Sequence, residues 1–306
     1  MNTAAMDRLS DFLSTLSTES TRRAYRTDLS TFIQFLDPDR SDLQIETVDA
    51  EQIQDFLQAM KREDLSMSTR RRRLSALRRF YDWLVEAGVV QNNPARGPSV
   101  SLRSADSEPS PTRFLSKEEL EEVVDRAGEQ AGSGVRDQAL ILTIVYGSLR
   151  RSEVASLNID HVRPLGRHWV IDLPSATTGR GGYVKIPTFV ADAVQKTVDL
   201  YETDDGPLWR SCSNRNRGGR MTPDAIYKRV RGIGQAAGVE DVDIELLRRS
   251  GLRLAFQSGA RPSQIQSQAR LDKLSSAARY FESKPEEARL QKTAGDFVKL
   301  DVEVRN

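Results

Sequence analysis

The chain has 306 residues, of which 38% are hydrophobic, enough for two ordinary globular domains that each bury a core. One cysteine, Cys212, and two histidines, His161 and His168, exclude an internal disulfide and argue against structural zinc or a histidine-based triad. Lys and Arg number 45 against 44 Asp and Glu, so the net charge does not by itself indicate a nucleic-acid partner. The sequence shows neither an apolar run of about 20 residues nor an apolar signal core, so we expect a cytoplasmic protein without a membrane partner.

The first hundred residues are predicted to form a bundle of four helices. The helices lie near residues 6–16, 18–36, 50–63 and 68–87. Apolar residues recur at helical spacing in the second and fourth, Thr18 or Ser20 can cap the second, and Gly88 is a stop signal. The fourth helix carries six arginines, Arg70, Arg71, Arg72, Arg73, Arg78 and Arg79. Because no acid interrupts this run and the opposite face is apolar, we expect it to contact nucleic-acid phosphates.

Residues 99–113 are rich in Ser, Pro and isolated charges, which is typical of a linker between a domain over residues 1–98 and one over residues 114–306. The second domain opens with a capping box, and its helix over residues 138–145 is apolar on all sides and therefore buried. Two strands, HWVIDLP from His168 and YVKIPT from Tyr183, predict a hairpin with a glycine-rich tip. Helices dominate after the hairpin, so the predicted fold is mainly α with a small β-hairpin.

Two arginine motifs lie far apart in the second domain. In the first, YGSLRRSEV, Arg150 follows a short turn and precedes a Ser-Glu pair that opens a helix. The second reads LRRS and contains Arg248, and the chain then continues through SSAARY to Tyr280. This pattern resembles the two arginine boxes and the nucleophile segment of the tyrosine recombinase, or phage integrase, family, and no gap is needed from Arg248 to Tyr280.

The N-terminal domain is similar to the SAM-like helical core-binding domain of the same family. STRRAY, with Arg22 and Arg23, opens the similarity, and Asn93-Pro94-Ala95 closes it. The resemblance covers nearly the whole chain in the two-domain layout of Xer-type enzymes. It implies a mixed α/β, mostly helical catalytic domain over residues 114–306, and it adds Arg22 and Arg23 to the candidate DNA-binding residues.

The resemblance implies a site-specific DNA recombinase or integrase that cleaves and rejoins strands through a 3′-phosphotyrosyl bond at Tyr280. Two guanidiniums, Arg150 and Arg248, suit the stabilisation of charge on the attacked phosphate, and neither a metal ion nor ATP is required. The implied partner is a double-stranded recombination site, bound by a homotetramer on paired sites. A docking segment near residues 286–299 would hold a neighbouring protomer.

Three positions depart from the family pattern. Glu245 replaces a histidine, and it either accepts a proton or pairs with an arginine to hold it in place. Leu271 replaces a histidine or tryptophan and cannot hydrogen-bond a phosphate oxygen. Arg180, at the hairpin tip, replaces a lysine and is a poor proton donor, so Lys185 is an alternative.

These departures keep other hypotheses open. One is a catalytically degenerate relative that binds DNA in an architectural or regulatory role. Another is a type IB topoisomerase-like activity without exchange of partners. A further basic stretch contains Arg215, Arg217 and Arg220, which either contact DNA or only solvate a loop.

Overall fold

The computed structural model describes residues 3–38, 43–102, 113–174, 182–201, 204–272 and 297–301. The chain divides into two compact units, Met1–Ser110 and Pro111–Asn306. Each unit has its own hydrophobic core. Within the described residues, no helix is both long and apolar enough to cross a lipid bilayer.

The first unit is built from the four predicted helices. They are α1 Thr3–Ser14, α2 Glu19–Leu36, α3 Ala50–Arg62 and α4 Met67–Glu86, with short 3₁₀ turns at Ile45–Thr47 and Pro94–Arg96. Thr18 caps α2, because its hydroxyl accepts a hydrogen bond from the main chain of Thr21. Gly88 follows α4 with a φ of 70°, a conformation that glycine adopts without strain.

The core of the first unit depends on the apolar face of α4. As predicted, its large apolar residues are buried: Leu74, Leu77, Phe80, Tyr81 and Leu84. The hydroxyl of Tyr81 donates to the Ile45 carbonyl over 3.1 Å, which satisfies the polar end of a fully buried ring. Val100, at the start of the predicted linker, is also buried in this core, and residues 103–112 lie outside the described part of the chain.

The second unit combines helices with a small sheet. The helices are α5 Lys117–Gly128, α6 Gly134–Gly147, α7 Arg151–Ser156, α8 Thr188–Asp199, α9 Pro223–Ala236, α10 Ile244–Gln257 and α11 Pro262–Ala269. The strands are β1 Val162–Leu165, β2 His168–Leu173 and β3 Gly182–Ile186. The predicted capping box at Ser116 and Glu119 is present at the start of α5.

The three strands form an antiparallel sheet in the order β1-β2-β3. Strands β2 and β3 are the predicted hairpin, with Ile171 opposite Val184. Strand β1 was not predicted, because its sequence, VRPL, contains a proline and is too short for an alternating pattern. Proline is tolerated here because β1 is an edge strand. The hairpin tip, with Arg180, lies outside the described residues.

Helix α6 lies at the centre of the second unit and is buried on nearly every side, as its sequence predicts. Helix α10 packs closely against it at Gly251, where an added Cβ atom would lie only 2.7 Å from the Val145 carbonyl oxygen. On α6, the Tyr146 hydroxyl donates to the Val298 carbonyl over 3.0 Å. Val298 belongs to the predicted docking segment, of which only residues 297–299 are described, and here it packs into the core of its own unit.

Candidate active site

The first arginine motif lies in the tight turn between α6 and α7. Ser148 ends α6 in the left-handed conformation, with φ 49° and ψ 43°, which reverses the chain so that Arg150 directly precedes α7. The main-chain N–H of Arg150 donates to Glu153 Oε2 over 2.6 Å, and its guanidinium donates to Glu153 Oε1 over 2.9 Å. Glu153 is fully buried, so its carboxylate is held by these charged hydrogen bonds.

The second arginine motif lies in α10, where the Arg248 side chain is only 5% exposed. Its Nε donates to the Ser148 carbonyl over 3.0 Å, at the turn that carries the first motif. One terminal nitrogen donates to both carboxylate oxygens of Glu245, over 3.0 and 3.2 Å. The other donates to the Ala269 carbonyl over 2.9 Å. The structure therefore brings Arg150, Arg248 and Glu245 together, whereas Arg180 and Tyr280 lie outside the described residues.

A third arginine, Arg270, belongs to the same cluster and was not singled out from the sequence. It ends α11 in the left-handed conformation, and its guanidinium donates to Glu153 and to the carbonyls of Gly147 and Ser148. Its neighbour Leu271 packs against the apolar core and is half-buried. We call Arg150, Arg248 and Arg270, with Glu153 and Glu245, the arginine cluster.

Burial lowers the pKa of the Arg270 guanidinium. Glu153 opposes this shift, and the nearby cations Arg150 and Arg248 add to it. We nevertheless count Arg270 as a cation, because arginine in proteins is effectively always protonated. Three cations thus lie around two carboxylates, an arrangement that leaves an excess of positive charge for an anionic ligand.

The strand with Lys185 lies beside this cluster. Lys185 is half-buried in β3, opposite Val170. Gln268, in α11, donates to the Lys185 carbonyl over 3.4 Å and to the Tyr146 carbonyl over 2.8 Å. Gln268 therefore connects the strand to the end of the helix that precedes the first arginine motif.

The six predicted DNA-binding arginines of α4 differ in their surroundings. Arg71, Arg72 and Arg79 are exposed. Arg72 and Arg73 pair with Asp28 of α2, which is buried. Burial raises the pKa of Asp28, and the two arginines oppose that shift. These two guanidiniums therefore stabilise the packing of α4 against α2.

The remaining predicted arginines of the first unit also differ in their surroundings. Arg78 is half-buried and its Nε donates to the Ala95 carbonyl over 3.1 Å, and Arg70 is half-buried. Arg22 donates to Glu19 over 2.9 Å and to the Leu16 carbonyl over 3.3 Å. Arg23 is exposed. The spacing of the arginines gave no information on the contact of Arg78, because Ala95 lies in a later segment.

The second basic stretch is also divided. Arg220 donates to the carbonyls of Ala155 and Leu157 over 3.0 and 2.9 Å, so it holds the end of α7 in place. Arg215 and Arg217 are exposed.

Two guanidiniums that converge on one point can bind a phosphodiester and stabilise the charge that develops when it is attacked. The second unit is mostly helical with a small antiparallel sheet, as the resemblance implies, and the two arginines lie next to each other within it. Comparison with known proteins identifies the family. Residues 9–88 match the phage integrase N-terminal SAM-like domain, and residues 113–287 match the phage integrase family. The chain therefore belongs to the phage integrase family.

Curated relatives agree with this assignment. The chain is 23% identical over 267 residues to tyrosine recombinase XerD of Listeria innocua serovar 6a, covering 83% of this chain and 86% of that protein. It is 28% identical over 231 residues to tyrosine recombinase XerC of Xylella fastidiosa strain M23, covering 74% of each. The enzyme class predicted from the motifs, a tyrosine recombinase that cleaves and rejoins DNA, is confirmed.

Solved structures share the fold. A lambda integrase dimer bound to a COC′ core site matches with a TM-score of 0.69 and 14% identity, covering 94% of this chain and 98% of that one. The XerH site-specific recombinase bound to a palindromic difH substrate matches with a TM-score of 0.65 and 20% identity, covering 85% and 75%. The predicted fold class, a SAM-like helical domain followed by a mostly helical catalytic domain, is confirmed.

Proposed function

We propose that this tyrosine recombinase acts at a specific DNA site, with Tyr280 as its nucleophile and with Arg150 and Arg248 holding the attacked phosphate. The observation that carries the proposal is that both guanidiniums reach the Ala269 carbonyl, Arg150 over 3.3 Å and Arg248 over 2.9 Å. The described contacts of the Arg150 guanidinium use three of its five N–H groups. Within the described residues, its other N–H groups remain for phosphate oxygens.

In the proposed reaction, the Tyr280 oxygen attacks phosphorus and the bond from phosphorus to the 5′ oxygen breaks. The tyrosine loses its proton as it attacks, the 5′ oxygen gains one, and a 3′-phosphotyrosyl bond preserves the energy needed for rejoining. Attack by the 5′ hydroxyl of another strand reverses these steps. Arg150 and Arg248 stabilise the extra negative charge on the phosphate oxygens in both directions.

Two further roles belong to the proposal. Glu245 orients Arg248, because both of its carboxylate oxygens accept from one guanidinium nitrogen. Lys185 protonates the 5′ oxygen, in preference to Arg180, because an arginine hardly releases its proton. The position of Lys185 in β3, which is hydrogen-bonded to α11 through Gln268, supports this role.

The proposed partner is a double-stranded recombination site, approached by the exposed arginines Arg23, Arg71 and Arg79. Solved relatives named above were crystallised with such sites, one of them as a dimer. A homotetramer on two paired sites, acting in the cytoplasm, completes the proposal. Base contacts and DNA shape would select the site, while phosphate contacts supply affinity.

The test is covalent trapping on suicide DNA. Fragments that bind the protein are selected from a random library and nicked near the candidate cleavage position, so that cleavage releases a short strand and cannot be reversed. Wild type and Tyr280→Phe are then compared on denaturing gels. A protein–DNA band given by wild type but not by Tyr280→Phe is the expected result.

The same experiment separates the alternatives. Tight binding without a covalent band, in the presence of partner proteins, would favour a catalytically degenerate DNA-binding protein. A covalent band together with relaxation of supercoiled plasmid by single protomers would favour the topoisomerase-like reaction. Loss of the band in Tyr280→Phe with unchanged DNA affinity would assign the nucleophile.

A further inference from the structure

Arg270 lies at a backbone position that favours glycine. Its φ of 53° and ψ of 54° place it in the left-handed region, where a Cβ atom is strained. Here it ends α11, the usual place for a glycine cap. The backbone here favours glycine. The reason for an arginine at this position must therefore lie in the contacts of its side chain.

That side chain is fully engaged. Its Nε donates to Glu153 Oε1 over 3.2 Å. One terminal nitrogen donates to the Gly147 and Gln268 carbonyls over 3.3 and 2.8 Å. The other donates to the Ser148 carbonyl over 2.7 Å and to Glu153 Oε2 over 2.6 Å. All five N–H groups of the guanidinium thus have partners within the protein, so none is left for a phosphate.

The same partners hold the other two arginines. Glu153 accepts from Arg150 as well as from Arg270, and the Ser148 carbonyl accepts from Arg248 as well as from Arg270. The Arg270 carbonyl, in turn, accepts from Arg150 over 3.1 Å. Arg270 therefore shares one partner with each of the two proposed phosphate-binding guanidiniums, Glu153 with Arg150 and the Ser148 carbonyl with Arg248.

We propose that Arg270 is a positioning residue for DNA cleavage, which fixes Arg150 and Arg248 through Glu153 and the Ser148 carbonyl without itself contacting the phosphate. The proposal rests on the recombinase function proposed above. It assigns a role in cleavage to a position that the sequence motifs leave unmarked.

The experiment compares the wild type with Arg270→Gly and Arg270→Lys on the suicide DNA. Arg270→Gly suits the left-handed backbone and removes the whole side chain, including the guanidinium. We expect DNA affinity to remain within a factor of about three, while the rate of covalent complex formation falls roughly 100-fold, as for a displaced catalytic group. Guanidinium ion added at non-denaturing concentrations should restore part of the rate in Arg270→Gly, because it can occupy the vacated site.

Arg229→Ala is the matched control. Arg229, like Arg270, pairs with a fully buried carboxylate, Asp137, which has a second arginine partner in Arg136. Removing Arg229 should lower stability comparably and leave the cleavage rate of the folded protein unchanged. Arg270→Lys keeps the charge but cannot reproduce five directed hydrogen bonds, so its rate should stay well below that of wild type.

The outcomes are distinct. If wild type forms no covalent complex, the proposed function fails and the role of Arg270 fails with it. If wild type cleaves and Arg270→Gly cleaves equally fast, only the role of Arg270 is wrong. If Arg270→Gly loses DNA affinity as strongly as it loses rate, or gains nothing from guanidinium, Arg270 contacts the DNA or only stabilises the fold, and the positioning role is wrong.

Discussion

Arg150 and Arg248 donate hydrogen bonds to the same main-chain oxygen, that of Ala269, from two different helical motifs. This shared carbonyl holds the two guanidiniums next to each other. The arginines are therefore kept in a converging arrangement by the protein itself.

Replacing either arginine by lysine should abolish most cleavage while leaving binding nearly intact. We expect Arg150→Lys and Arg248→Lys each to lower the cleavage rate by about 100- to 1,000-fold, the usual effect of removing one donor to a developing oxyanion. Single-turnover trapping on suicide DNA measures this rate. Arg151→Lys is the control, because Arg151 pairs with Asp224 and lies over the Tyr227 ring. Equal losses in all three variants would contradict the assignment.

Glu245→Gln should lower the cleavage rate much less than the loss of a general base would. Glutamine keeps an oxygen acceptor for Arg248, so we expect less than about a 10-fold decrease in rate, with the shape of its pH dependence unchanged. A general base, in contrast, typically contributes about 100- to 10,000-fold. Cleavage rates measured across a pH series distinguish the two roles. A much larger loss, together with the disappearance of an acidic limb from the pH profile, would make Glu245 the proton acceptor.

The exposed arginines of α4 should control the salt dependence of DNA binding. Each phosphate contact contributes about 0.9 to the slope of log affinity against log salt concentration. We expect Arg71→Ala and Arg79→Ala each to reduce the slope by roughly that amount. Fluorescence anisotropy across a salt series measures it, with Arg8→Ala as control, since Arg8 lies in α1 near Glu46. Unchanged slopes would place the DNA on another face of this unit.

Asp82 should make the first unit sensitive to acid. Hydrogen bonds from Arg96, over 2.9 and 2.7 Å, and from Asn93 hold the pKa of Asp82 below its ordinary value of 3.8. The ionised Asp82 carboxylate therefore stabilises the folded protein in full at pH values above its ordinary pKa. This stabilisation is lost as the pH falls through the lowered pKa that Asp82 has in the folded protein. Asp82→Asn should be less stable than wild type by roughly 0.5 kcal/mol near neutral pH, as for a surface ion pair.

The two proteins should become equally stable as Asp82 takes up its proton in strong acid. Thermal unfolding at several pH values gives the comparison. A difference that stays constant with pH would show that the Asp82 carboxylate charge contributes nothing.

Replacing two helical glycines by alanine should change the stability of the protein in opposite directions. Gly251→Ala forces a Cβ atom against Val145, so we expect a loss of about 1–3 kcal/mol, as for an overpacked core. Gly232→Ala, in α9, meets nothing within 4 Å and should gain roughly 0.5–1 kcal/mol from helix propensity. Urea unfolding is measured in a Trp83→Phe background. The remaining tryptophans then all belong to the second unit, so their signal reports the unfolding of that unit. Destabilisation by both substitutions would contradict the predicted contrast.

The sequence was sufficient for the elements whose signals are local. The helix pattern of α4, the capping box of α5 and the all-apolar α6 each follow from nearby residues, and each is present. Spacing to known motifs also predicted Arg150 and Arg248 as a pair, and both guanidiniums donate to the Ala269 carbonyl.

Features set by distant partners could not be predicted. Arg72 and Arg73 belong to an uninterrupted basic run, yet Asp28, more than forty residues earlier, pairs with both. Arg270 gave no signal either, because arginine is unusual at a left-handed helix end and its partner Glu153 is 117 residues away. Such pairs depend on which segments the tertiary fold brings together, so the local periodicity of the sequence does not predict them.

The close approach of α10 to α6 at Gly251 has a thermodynamic consequence for the encounter with DNA. Helix α10 carries Arg248, and helix α6 leads into the turn that carries Arg150. The contact between these two helices therefore sets the distance between the backbone segments that carry the two guanidiniums. Little side-chain and backbone entropy is then lost at the cluster when DNA arrives. The absence of a methyl group at Gly251 thus contributes to the preorganisation of the arginines that we propose to bind the phosphate.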